Sequence, residues 1–242
     1  KYIKFYGITN REDKTMTRAV VLLSGGMDSA TALAIAKSRG CSCFALSIDY
    51  GQRHQYELKA AQSIAEDLGV LEHKILSFDL THFGGSALTD KAYPIPEKEI
   101  PGIPITYVPA RNTIFFSLAL AWSEVIDADY IYSGVNAIDY SGYPDCRDDT
   151  LKALQVAMNL GMETRFVIHT PLMRINKAGT WALAEELGGK ELIELIIEKT
   201  HSCYLGNRQH RYAWGYGCDT CPACKLRSEG WEKYRVTNQL PD

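Results

Sequence analysis

The chain lacks any apolar run approaching the ~20 residues needed to cross a bilayer, so none of its 242 residues is expected to span a membrane. Its first stretch, KYIKFYGITNREDKTMTR, lacks the apolar core of a secretory signal. An excess of basic charge is missing too. The 26 Lys and Arg against 29 Asp and Glu leave a net charge of −3, which argues against a chain built to coat nucleic acid. Internal repeats and low-complexity stretches are absent. With 46% hydrophobic and 23% charged residues, the composition is that of an ordered globular protein. A chain this long buries roughly 70–75% of the surface its unfolded form exposes, and needs no disulfide framework. The expectation is a soluble, cytoplasmic protein of one large domain, with at most a small appendage.

Seven cysteines are the unusual component. Cys218, Cys221 and Cys224 lie close together with Cys203 upstream, whereas Cys41, Cys43 and Cys146 are scattered. An odd total without an export signal suits metal binding in a reducing compartment better than disulfides. The gaps between the four clustered cysteines are 14, two and two residues. Short C-x-x-C loops let thiolates share one tetrahedral ion, and four sulfurs close its shell. One structural Zn²⁺ per chain is therefore expected. His201 and His210 are possible substitute ligands, but four cysteines leave no vacancy. Arg208, Arg211, Lys225 and Arg227 make this end basic. A solvated rim is the preferred reading there over a nucleic-acid surface.

Residues 1–17 are charged, without a helical period, and read as an N-terminal extension with Met16 as an alternative start. From Arg18 short β-rich runs alternate with helical patterns. Strands are expected at 19–23, 41–50, 72–78, 129–135 and within 165–172. Helices are expected at 30–40, 56–69, 112–126, 149–160, 176–187 and 190–199. Five of nine prolines fall in 79–110, which reads as a long loop. The alternation implies an α/β fold with a doubly wound, five-stranded parallel sheet over 18–199. The sheet domain is followed by a C-terminal helical and zinc-binding segment, whose residues 200–242 carry the four clustered cysteines. Ligands of such sheets sit at the carboxyl ends of strands where the strand order reverses. The loops after strands one, two and four should therefore share one crevice.

The first of these loops is Ser24-Gly25-Gly26-Met27-Asp28-Ser29. Two glycines permit a sharp turn and close approach, and the amides at the helix start favour an anion, phosphate being the natural guest. No Lys makes it a Walker A loop, and no third glycine makes it a Rossmann fingerprint. Asp28 would repel bare phosphate, which suggests a cation such as Mg²⁺ beside it. A plain strand–helix turn with a Ser/Asp cap is the alternative. After strand two come Arg53 and His54, which could meet an anionic group, with Glu57 one helical step on. VPARN presents Arg111 at a helix start as a phosphate or carboxylate clamp. The loop after strand four gathers Asp139, Tyr140, Tyr143, Asp145, Cys146 and Arg147. Aromatic faces can sandwich a planar heterocycle and a carboxylate can accept from a guanine-like amino edge. Turn chemistry accounts for its Gly, Pro and Asp, but not for the aromatics and Arg147.

SGGMDS after a buried strand resembles the pyrophosphate loop of the ATP pyrophosphatase (PP-loop) superfamily. GQRH, VPARN and especially DYSGYPDCR are similar to the 7-cyano-7-deazaguanine synthase family, in order from about Arg18 to Tyr234. That resemblance implies an ATP-dependent ligase acting on 7-carboxy-7-deazaguanine and ammonia, usually a homodimer. It implies an ATP-binding stretch through Leu23, Ser24, Gly25, Gly26, Met27, Asp28, Ser29, Ala30, Thr31, Ala32 and Leu33. Catalytic roles fall to Asp28 with Mg²⁺, and to Arg111 and Lys177 on developing phosphate charge. Arg53, His54 and the 139–147 loop would hold the substrate, and Cys146 reads as a small packing residue. The family pattern also covers all four clustered cysteines, with a long aromatic, Arg-rich insert at 204–217 as the departure. A tRNA thiolase of the same superfamily, which would need a catalytic cysteine pair, is the enzymatic alternative. A non-catalytic nucleotide sensor with a zinc-ribbon module is the other.

Overall fold

The computed structural model describes residues 16–96, 102–139, 142–162 and 165–238. In β1 (Arg18–Leu22), Ala19 and Val21 join one hydrophobic cluster and Val20 another, so both faces of the strand are covered. That is the burial a central parallel strand requires. β2 (Ser42–Asp49) and β4 (Tyr130–Ser133) flank it in parallel, with Ala19 opposite both Cys43 and Tyr130. β3 (Glu72–Ser77) and β5 (Val167–His169) form the edges, giving the order β3-β2-β1-β4-β5. The order reverses between β1 and β4, which places the ligand crevice above their carboxyl ends.

α1 (Met27–Ser38) and α2 (Tyr56–Asp67) pack on one face through Ala30, Leu33, Ala36, Ala61 and Ile64. α3 (Arg111–Val125) and α4 (Asp148–Leu160) cover the other through Phe116, Ala119, Trp122 and Leu151. α5 (Lys177–Lys199) contains one non-helical residue, Gly189, at φ 60°. The break falls between the two runs expected from the sequence. Segment 79–110 holds no described element beyond a single 3-10 turn at Thr81–Phe83.

Two elements at the C-terminal end were not anticipated. A two-residue hairpin pairs β6 (Arg211–Tyr212) with β7 (Gly215–Tyr216), and α6 (Pro222–Asn238) follows. α6 packs on α5 through a third cluster containing Trp181, Ile193, Ile196, Cys224, Trp231 and Tyr234, which Met27 of α1 also joins. Among the described residues no helix is long and apolar enough to cross a membrane.

Candidate active site

The β1–α1 loop turns at Gly25, whose φ is +88°. A Cβ there would lie 2.1 Å from the backbone oxygen of Glu57. Only glycine allows the loop to press so closely on α2. Gly134, just after β4, is equally constrained, since a Cβ would fall 2.6 Å from Ser29 N. The loop is braced from within. Ser24 N–H donates to Ser29 Oγ (3.2 Å), and Ser29 Oγ donates to the Gly26 carbonyl (2.9 Å). From outside, His201 N–H donates to the Gly25 carbonyl at 2.9 Å.

Above this loop lies a cavity of about 220 Å³. Ser24, Gly26, Met27, Asp28 and Ser29 form its floor, and Arg53, His54, Arg111 and Tyr143 line it with them. Leu23 also lines the cavity, whereas the later part of the expected nucleotide stretch does not. Ala30, Ala32 and Leu33 are fully buried in the core, and the Thr31 hydroxyl is spent on the Met27 carbonyl at 2.9 Å. They follow α1 inward once the helix has begun at Met27.

Arg111 begins α3 after Ala110, a non-glycine residue held at φ 56°. Strained backbone of this kind costs on the order of 1–3 kcal/mol and persists where the surroundings fix it. The guanidinium lies 5.5 Å over the Tyr50 ring, and its Nε is buried without a partner. Arg53 is differently employed. Its Nη2 donates to the carbonyls of Asp90 (2.8 Å) and Tyr93, tying the proline-rich segment to the β2–α2 loop. His54 packs edge-on against His201, ring centroids 5.2 Å apart. His201 is fully buried with neither ring nitrogen hydrogen-bonded, and burial lowers its pKa to about 4.

Three expected site residues are held by contacts within the protein. Lys177 does not line the cavity. Its Nζ donates to both Asp28 oxygens (2.8 and 2.7 Å) and lies 3.4 Å from Asp139 Oδ2. The lysine thereby fixes Asp28. Asp139 is correspondingly sequestered, and burial raises its pKa despite Lys177. Asp145 is buried and accepts from the Asn112 backbone N–H at 2.9 Å, serving the start of α3 from a distant loop. Arg147 is exposed ahead of α4 and does not line the cavity. Tyr140 lies outside the described residues. Tyr143 faces the cavity while its hydroxyl bonds Thr106 Oγ1 at 2.6 Å.

Cys146 lines the cavity, but burial pushes its thiol up to about 12, and Asn112 Nδ2 donates to its sulfur at 3.2 Å. Such a thiol is a poor nucleophile. Cavity residues outside the set expected from the sequence include Glu57, His201, Ser202 and Tyr204. Glu57 had its spacing as a signal. The others carried none beyond their proximity to Cys203.

The ligand atoms of Cys203, Cys218, Cys221 and Cys224 all lie within 4.8 Å of one another, and Cys218 and Cys224 sulfurs are 3.9 Å apart. Sulfurs about 2.3 Å from one tetrahedral ion would sit roughly 3.8 Å apart, so the cluster can hold a metal ion. Of the basic residues beside it, Arg211 and Lys225 are exposed and Arg227 is committed inward. Arg227 is 1% exposed and donates to the carbonyls of Trp214 and Ile196, each at 2.9 Å. Arg211 pairs with Glu198, and Arg208 stacks over Tyr216. Arg227 is thus a buried strut, not part of a solvated rim.

A parallel sheet with a Ser-Gly-Gly loop at its switch point, an arginine facing that loop and a C-terminal cysteine cluster defines a nucleotide-binding α/β protein of the PP-loop type. Residues 18–235 match the family described as queuosine biosynthesis protein QueC, and the chain belongs to that family. The 7-cyano-7-deazaguanine synthase of Alkalilimnicola ehrlichii is 50% identical over 91% of this chain and 96% of its own. Those of Gluconobacter oxydans and Methylorubrum extorquens are 48% and 49% identical, each over 90% of this chain and 93% of theirs. The relatives are named as synthases, and this chain is an enzyme of the same kind.

Proposed function

We propose that the chain converts 7-carboxy-7-deazaguanine and ammonia to 7-cyano-7-deazaguanine at the expense of two ATP. One observation carries this reading: the Ser24–Ser29 loop, Arg111 and Tyr143 face a single cavity in a chain matched to the family over 18–235. A carboxylate oxygen of the substrate attacks the α-phosphorus of ATP, and pyrophosphate leaves with the bonding pair. Ser24, Gly26 and Ser29 receive it at the start of α1, and Arg111 balances its charge. Ammonia displaces AMP to give the amide. A second adenylation, on the amide oxygen, is followed by loss of AMP and two protons to leave the nitrile. The protein's part is placement and charge stabilisation.

Asp28 is the carboxylate on the cavity floor that would hold Mg²⁺ arriving with ATP, with Lys177 orienting it from behind. Mg²⁺ supplies neutralisation of phosphate charge. The cysteine cluster suits structural Zn²⁺, whose closed shell leaves no catalytic position. The working unit is taken to be a homodimer. A tRNA thiolase would need a reactive cysteine pair. Cys41 and Cys43 lie at the amino end of β2, away from the cavity, and burial pushes Cys43 up to about 12.

The test is mass spectrometry of reactions with ATP, Mg²⁺, ammonium and 7-carboxy-7-deazaguanine, scored with AMP release. A nitrile with two AMP per product is expected. ATP consumption without nitrile would reject the substrate, and no turnover would reject the enzyme reading.

A further inference from the structure

Glu57 lines the cavity from the first turn of α2. Its backbone carbonyl is the group that Gly25 presses against, so its position beside the pyrophosphate loop is fixed by backbone packing. Among the described residues its carboxylate has no hydrogen-bond or ion-pair partner. Lys177 is occupied by Asp28 and Asp139, and Arg53 Nη2 by two carbonyls, while Arg111 acts on the carboxylate through its charge and gives its Nη1 hydrogen bond to the Tyr50 hydroxyl. A carboxylate sunk in a ligand cavity without a donor awaits one from the ligand. The chemistry there calls for such a group. Ammonium is almost wholly protonated near neutral pH and has no lone pair with which to attack.

We propose that Glu57 is a catalytic residue that removes a proton from ammonium bound in the cavity and so generates the attacking ammonia. The inference rests on the adenylation reading above. Ammonium binds as a cation against the Glu57 carboxylate and gives it one proton. The freed nitrogen lone pair forms the C–N bond at the adenylated carbonyl. The C–O bond to AMP then breaks, its electron pair leaving on the phosphate oxygen, and the second proton of the new amide nitrogen passes to water. Glu57 returns its proton to solvent before the next cycle.

The surroundings poise the group for this work. Burial pushes its carboxyl up to about 7, while Arg111 draws it down. The titratable and charged groups around the same cavity are Asp28 of α1, Tyr50, Arg53 and His54 after β2, Arg111 of α3, Tyr143 and Cys146 between β4 and α4, and His201 and Tyr204 after α5. A base near the operating pH combines a useful deprotonated fraction with sufficient driving force.

The experiment compares Glu57→Gln with the metal-loaded wild type in three assays. The first is acid-dependent exchange of pyrophosphate into ATP, which reports adenylation alone. The second is turnover with ammonium as pH is raised. The third is turnover with hydroxylamine, which is largely unprotonated near neutral pH and needs no base to free its lone pair. Expected for E57Q are exchange within about threefold of wild type, ammonium turnover down about 100-fold at neutral pH, recovery as pH rises, and hydroxylamine turnover retained. Equal losses with both nucleophiles, or loss of exchange in the folded variant, would overturn the assignment. Should E57Q fail to fold, Glu57→Asp serves instead. Its retracted carboxylate should lower ammonium turnover selectively and partially, and an equal loss with hydroxylamine would overturn the assignment. Absence of acid-dependent exchange in the wild type would reject the adenylation reading itself.

Discussion

Replacing Lys177 with methionine removes a cation shared by Asp28 and Asp139 while nearly preserving side-chain volume. The three side chains are 5%, 16% and 3% exposed, so solvent screens them little. Removing one partner of a buried ionic cluster costs about 3–5 kcal/mol, because the charges left behind have lost their compensation. The sign of the pH dependence follows from Asp139. Burial already raises its pKa, with Lys177 opposing, and without the lysine it rises further. A carboxyl raised above its unfolded value contributes stability that is fully present below the unfolded pKa and is lost as pH rises through the folded one. The deficit of K177M relative to wild type is therefore greatest near neutral pH and shrinks on acidification, by about 1.4 kcal/mol for each additional unit of pKa elevation. Urea unfolding of metal-loaded protein from about pH 7.5 down to about pH 5 measures it, and adding Asp139→Asn should restore part of the loss. A deficit under about 1 kcal/mol, as for an exposed pair, or one unchanged across that range, would refute the account.

Gly25→Ala forces a Cβ into the Glu57 carbonyl. It should weaken ATP binding at least about tenfold (~1.4 kcal/mol), and calorimetric titration giving wild-type affinity would contradict this. Arg227→Met strips the Trp214 carbonyl of its Arg227 donor, while the Ile196 carbonyl keeps the N–H and hydroxyl of Thr200. At about 1–3 kcal/mol for a stranded buried group, the loss should appear as a lower urea midpoint. Cys146→Ser should retain product formation within about threefold, since a thiol this buried is held protonated; loss of the chemical step with substrate binding intact would make it a nucleophile after all. Stripping metal with a chelator should weaken both the packing of α6, read by near-ultraviolet circular dichroism, and ATP affinity. The coupling is expected because Cys203 is two residues from the Gly25 contact of His201. Unchanged ATP affinity in metal-free protein would sever it.

The sheet and its crevice were legible because they rest on local signals. Buried runs such as AVVLL, glycine stops at Gly40 and Gly69, and the proline density of 79–110 each act within a few residues. The break in α5 was legible from Gly188-Gly189 for the same reason. α6 was obscured by attention to its cysteines, although Cys224, Arg227, Trp231 and Tyr234 recur at helical spacing along one buried face. The site was legible as a set of chemistry-bearing residues but not in their division of labour. Lys177, Asp139 and Asp145 were read by residue type as ligand-binding groups, whereas tertiary packing turns them toward one another and toward the α3 amide. Sequence carries no trace of which partner 149 positions away, as for Asp28 and Lys177, will claim a charge.

The Gly25 loop, bound at its carbonyl by His201 and at Asp28 by Lys177, also dictates when the protein can first hold its nucleotide. The residues proposed to contact phosphate emerge early in synthesis, yet the contacts that set them wait for the last third of the chain. An amino-terminal fragment can form β1 and α1 but leaves the loop unclasped. Ligand binding is thereby deferred until nearly the whole chain is available to pack against it, and ATP cannot stabilise the nascent protein as it could one whose pocket closes locally.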